Sequence, residues 1–211
     1  FAINDAIINN REEIVQLLLK DTRVNPSDCE NLSIHLASQH GRIEIVKCLL
    51  KDPRVDPSDR NNFATRFASM NGHIEIVQFL LKDPRVDPSD FYNFSIKAAS
   101  QHCHIAVVKC LLKDLRVDPS VCDNYAIRKS SENGHIEIVR VLLEDSRVDP
   151  SANINHAIRY ASKNGHIKIV KCLINDYRGV NQLKSIFTES NVLKLLNIYL
   201  LKKIDLKVSN F

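Results

Sequence analysis

The chain has 211 residues, 44% hydrophobic and 26% charged, with a formal net charge of +4. That is enough apolar material for a sizeable core and too little charge to grip nucleic acid by counterion release. No apolar run approaches the roughly 20 residues a bilayer span needs, so neither a nucleic-acid nor a membrane partner is expected. No signal peptide is visible, and because residue 1 is Phe, a segment ahead of it is expected.

Helical pairs are predicted at 1–20, 32–51, 63–82, 94–113, 125–144 and 156–175. The first starts without a connector, as if cut from an array. The third shows the pattern most clearly. Phe63 and Phe67 are spaced for one helix face, and Asn62 is placed to cap that helix with its side-chain oxygen. Asn71-Gly72 ends it, since both residues tolerate the left-handed backbone of a helix C-terminus. A second helix is predicted from His73 to Lys82. Ile74, Ile76, Val77, Leu80 and Leu81 form its apolar face, and Asp83-Pro84 stops it. Arg85 to Asp90 reads as a turn or extended connector. Beyond 176 the pattern fades. Val192–Leu201 is again apolar with helical spacing, so 177–211 is expected to form a degenerate repeat capping a 1–176 array.

A ruler of 31 residues runs through these pairs. RVDPS begins at Arg54, Arg85, Arg116 and Arg147, and RVNPS at Arg23. Gly41, Gly72, Gly134 and Gly165 keep the same step, with Cys103 in the vacant place. Asn31, Asn62, Asn93, Asn124 and Asn155 form another column. Such a period marks stacked supersecondary units. Identical connectors are then required, because an error in one would tilt every hairpin beyond it.

The pattern A-S-x-N-G-H-I-E-I-V-x-x-L-L-K resembles the ankyrin repeat, whose helices run A-A-x-x-G-H-x-x-V-V-x-L-L-L. The resemblance covers 1 to about 176. It implies an all-α solenoid of stacked helical hairpins with short turn or β-like connectors. Two departures stand out: the period is 31 rather than the usual 33, and the T-P-L-H opening is missing. The combination of DPRVDPS and NGHIEIV is similar to repeats abundant in large DNA viruses of amoebae. The resemblance implies an intracellular, monomeric scaffold that binds a protein on its concave face. Two alternatives stay open: an adaptor recruiting a ubiquitin ligase through an F-box-like 177–211 tail, and a structural component.

No catalytic constellation, cofactor motif or metal-ligand spacing is present. A catalytic group is needed once, whereas these histidines and carboxylates recur in every unit, so no enzyme activity is expected. His102-Cys103-His104 invites a metal, but each residue occupies a repeating column. The His column is expected to bond the inter-helix turn. Cys48, Cys110 and Cys172 share a column with Leu17, Phe79 and Val141, which suggests buried thiols in core slots. All six cysteines are expected to be reduced.

Partner-binding candidates are positions that vary while the frame repeats. At the connector tips these are Arg60, Asn61, Phe91, Tyr92, Cys122, Asp123 and Asn153; at the ends of the first helices they are Met70, Gln101 and Glu132. The aromatic pair Phe91-Tyr92 leads, since exposed aromatics suit binding hot spots. A basic column, His35, Arg66, Lys97, Arg128 and Arg159, could select an acidic partner, but its recurrence favours a role holding layers together.

Overall fold

A computed structural model describes residues 2–176 of the chain. The expected cap and the alternative tail at 177–211 lie outside the described residues. Twelve helices fall within them, and no strand does. They run α1 Ala2–Ile8, α2 Glu12–Leu19, α3 Asp28–Gln39, α4 Ile43–Leu49, α5 Asp59–Met70, α6 Ile74–Leu80, α7 Asp90–Gln101, α8 Ile105–Leu111, α9 Val121–Glu132, α10 Ile136–Leu143, α11 Ala152–Lys163 and α12 Ile167–Asn175. Two compact units divide the chain, Phe1–Val121 and Cys122–Phe211. In the first, α1, α3, α5 and α7 pack in sequence, and α2, α4, α6 and α8 form a second row. In the second, α12 packs against both α10 and α11.

Each first helix buries small residues, such as Ala37, Ala68 and Ala99, so that neighbours approach closely. Each second helix from α4 onward buries one Ile or Val, one Val and one Leu; in α6 these are Ile76, Val77 and Leu80. Full burial of such a side chain contributes roughly 1.5–3 kcal/mol. The second helices are shorter than expected. Where α6 was predicted to reach Lys82, it ends at Leu80, and the Lys82 and Asp83 amides close tight turns onto Phe79 and Leu80.

Every letter of RVDPS has a contact. Arg54 clasps Asp52 through Nε–Oδ1 at 2.9 Å and Nη2–Oδ2 at 2.6 Å, which holds the Asp52 carboxyl below its usual range. With its arginine open to solvent, such a pair contributes little stability. Its use is aim: Nη1 is left to donate to Val24 O of the preceding repeat at 3.2 Å. Arg85 and Arg116 reach Val55 O and Val86 O in the same way. Val55, Val86, Val117 and Val148 are buried anchors. Asp56 Oδ1 accepts the Ser58 amide at 2.9 Å and hydroxyl at 2.7 Å, a turn repeated at Asp87, Asp118 and Asp149. The intervening proline is buried and presets its φ for the turn. The connectors are therefore turns, without the β-like character considered from sequence.

The next three residues depart furthest from expectation. Cys29–Asn31, Arg60–Asn62, Phe91–Asn93, Cys122–Asn124 and Asn153–Asn155 all have φ between 51° and 58°. Each triplet is a single left-handed turn, an arrangement that disfavours L-residues by about 1–2 kcal/mol apiece. The last residue is always Asn, the type that best tolerates it. Its side chain does not cap its own helix, as the sequence suggested. Asn62 Oδ1 accepts the Asp87 amide at 2.9 Å, and Nδ2 donates to Asp90 Oδ2 at 2.7 Å. Asn31 grips Asp56 and Asp59 identically. The left-handed turn aims the amide across the junction, so the residue that looked like a cap staples one repeat to the next.

A second lock joins the inter-helix turns. His73 Nε2 donates to Gln39 O at 3.0 Å and His104 Nε2 to Met70 O at 2.9 Å; in the second unit, His166 Nε2 donates to Glu132 O at 3.0 Å. A carbonyl only accepts, so Nε2 carries the proton in each. Arg42 does the same work on Ile8 O. The His104 ring fills the place of a side chain at Gly72: a Cβ there would sit 2.4 Å from Nδ1, and φ is +77°. The expected bond to the turn is present, made to the turn of the preceding repeat.

Asn62→Ala should lower stability by about 2 kcal/mol, because it leaves the Asp87 amide and Asp90 carboxylate without their partner; urea unfolding of the full chain measures this. Cys103, at φ 65° in the glycine column, should gain about 1 kcal/mol when replaced by Gly, seen as a raised melting temperature.

Candidate functional site

The left-handed turns place two side chains per repeat outside the frame. Their third residue is committed to the next connector, while the first two point to solvent. In the first unit these include Arg60, Asn61, Phe91 and Tyr92. Phe91 is 49% exposed and Tyr92 76%. Together with Asn61, Asp87, Ser89 and Asp90 they line an open depression of about 420 Å³. Arg60 pairs with Glu30 on the neighbouring tip.

Behind Phe91 lies an aromatic row. Phe63 and Phe67 stack at 3.9 Å, Phe67 lies 6.4 Å from Phe94, and Phe94 lies 6.1 Å from Phe91. Arg66 threads this row, its guanidinium carbon 4.5 Å from the Phe91 centroid, 5.3 Å from Phe94 and 5.7 Å from Phe63. Phe91 thus folds back onto the preceding repeat and still leaves half its surface open. The spacing of Phe63, Arg66 and Phe67 on one helix, with Phe94 one repeat on from Phe63, was the available signal for this cluster.

The basic column belongs partly to the frame. Arg66 Nη2 donates to Arg60 O at 3.0 Å, and in the second unit Arg128 donates to Asp123 O at 2.8 Å and Cys122 O at 3.1 Å. These arginines tie down the carbonyls of the left-handed turns. His35 occupies the same column, 1% exposed and 4.7 Å from Phe63. Neither of its ring nitrogens makes a well-formed hydrogen bond, although the ring lies against the Asp59 backbone. Burial disfavours the imidazolium and brings its pKa from 6.5 to about 4, against the opposing pull of Asp59.

The other candidates separate. Cys122, Asp123 and Asn153 are exposed on left-handed turns of the second unit. Ile154, absent from the expected set, is 79% exposed beside Asn153; its place in the tip column was the signal that could have found it. Met70, Gln101 and Glu132 are only half-buried or less open than the tips. The carbonyls of Met70 and Glu132 take the next repeat's histidine, and the Glu132 carboxylate pairs with Lys129 at 2.8 Å. The first-helix ends therefore serve the frame as much as the surface.

Cys48, Cys110 and Cys172 prove half-buried, not core: their column lies in the seam between successive second helices, where Leu17 is 65% exposed. Burial still pushes these thiols up from their ordinary range. His102 and His104 stand 6.4 Å apart, and His104 is already bonded to Met70. No group of three metal-ligating side chains occurs among the described residues. No helix there is long and apolar enough to cross a membrane.

A family model for ankyrin repeats in three copies matches residues 2–91 and again 95–184. The chain belongs to the ankyrin-repeat family. No curated protein matches it at a significant level. Its fold class is the all-α repeat solenoid of that family. Ankyrin repeats are generally protein–protein interaction modules and typically non-enzymatic. Within the ankyrin frame, this chain uses the left-handed Asn turn and the connector arginines to join successive repeats.

The buried His35 gives the stability a pH dependence. Its folded pKa of about 4 lies below the unfolded 6.5, so its contribution is complete above pH 6.5 and is lost as pH falls toward 4. The loss across that window should be about 3 kcal/mol. His35→Phe should flatten this limb in urea titrations run between pH 4 and 7.

Proposed function

We propose that the chain binds a protein partner through the tips of its repeats, with Phe91 and Tyr92 as the centre of the surface in the first unit. One observation carries this reading: two large aromatic side chains are held open to solvent on a backbone turn that disfavours them. The fold needs Asn93 in that turn for its staple, whereas Tyr92 is left open and Phe91 keeps half its surface free while packing on Arg66. Strained backbone presenting exposed aromatics suits preformed recognition, because little entropy is lost when the partner arrives. Asn61 lines the same depression, and the exposed Arg60 beside it in sequence completes the proposed surface. Cys122, Asp123, Asn153 and Ile154 form the corresponding tips of the second unit.

The six free cysteines support a reducing, intracellular setting. The adaptor reading assigns ligase recruitment to 177–211. Capture from cell extract with and without that segment separates it from a simple scaffold: ligase components bound only when the segment is present support the adaptor.

Replacing both Phe91 and Tyr92 by Ala should abolish partner capture at a cost of about 1 kcal/mol in stability, since Tyr92 is exposed and Phe91 gives up only its packing on Arg66 and Phe94. Quantitative capture compared with the parent chain, alongside a thermal melt, tests this. Undiminished capture by the double variant removes the tip surface as the binding site.

A further inference from the structure

We infer that the partner presents a carboxylate beside an apolar side chain, and that the Arg66 guanidinium beneath Phe91 receives that carboxylate. This rests on the tip surface being the partner-binding site. Arg66 is only 9% exposed, and its Nε has no acceptor. It takes part in no ion pair among the described residues. Its counterpart Arg128 spends both Nε and Nη2 on tip carbonyls, whereas Arg66 spends Nη2 alone. Three rings surround the cation. They stabilise its charge but accept nothing at the in-plane Nε–H. A buried guanidinium without a carboxylate is disfavoured, and burial acts against its charge here.

The nearby carboxylates are engaged elsewhere. Asp59 accepts from Asn31 Nδ2 and the Arg60 amide, Asp90 from Asn62 Nδ2 and the Phe91 amide, and Glu30 pairs with Arg60. Asp90 attracts Arg66 through space without bonding to it. The chain therefore offers an under-satisfied cation next to two exposed apolar rings. A carboxylate flanked by an apolar side chain matches both features at once, with the half-exposed Phe91 ring moving aside to admit it. Glu30, Asp59, Asp87 and Asp90 on the same tips repel any run of negative charges, so a single carboxylate beside an apolar side chain fits where a strand of phosphates does not.

Fluorescence anisotropy with the full chain tests this, using three labelled probes: a Glu/Leu peptide carrying a single Glu between Leu residues, the same peptide with Lys for Glu, and a single-stranded oligonucleotide. The Glu/Leu peptide should bind at least about ten-fold more tightly than the Lys/Leu peptide, and Arg66→Met should erase that preference. The variant also loses the Nη2 bond to Arg60 O, so a thermal melt run alongside establishes that it is folded at the assay temperature. No binding of the Glu/Leu peptide, equal binding of the Lys/Leu peptide, or indifference to Arg66→Met overturns the inference. Preferential binding of the oligonucleotide overturns it in favour of nucleic acid. If the Phe91/Tyr92 double variant loses partner capture while the Glu/Leu peptide fails to bind, the tip surface stands and the acidic chemistry falls.

Discussion

An asparagine in a left-handed turn is the joint on which this architecture depends. Its amide is bidentate across the junction, accepting a hydrogen bond from a backbone N–H with its oxygen and donating one to a carboxylate with its nitrogen. Neither bond forms unless the backbone has turned the wrong way for an L-residue. The strain of three such residues is offset by the hydrogen bonds they aim and by the buried valine and proline of the connector they hold. In the first unit Arg54, Arg85 and Arg116 each add a bond to the previous valine carbonyl, so the connectors there are laced together without a strand.

This joint also divides labour among neighbouring residues. The third position of each turn is committed to the stack, and the first two inherit its strained geometry without sharing its bonds. They can therefore vary from Cys-Glu to Arg-Asn to Phe-Tyr while the scaffold is unchanged. The proposed recognition surface is built from the side chains at these first two positions. Frame and surface overlap at Arg66, which ties a tip carbonyl and underlies the Phe91 ring.

Much of the scaffold was legible in the sequence. Periodicity located the hairpins, and the histidine column was rightly assigned to the inter-helix turn. The helix-capping role given to Asn62 failed because a cap and a left-handed turn favour the same residue type, and only the three-dimensional neighbour 25 residues away decides between them. The thiol column was misjudged for a related reason. A slot that accepts Leu, Phe, Val and Cys reads as core, yet half-burial between second helices tolerates the same set. Phe91 and Tyr92 were visible as odd residues in a regular frame, while Ile154 was hidden by its unremarkable neighbours. The Arg66 cage needed ring positions from two repeats at once, which spacing along one helix does not reveal.

The histidine that sits on the preceding glycine has a consequence for how such chains change over generations. Because donor, acceptor and cleft recur at the same register, a segment of one period can be duplicated or deleted and the newly adjoining ends still fit. Unequal recombination between near-identical coding stretches would yield foldable products in which only the displayed residues are reshuffled. Length and specificity can then drift together, with selection acting on what the surface catches while the joints are inherited whole.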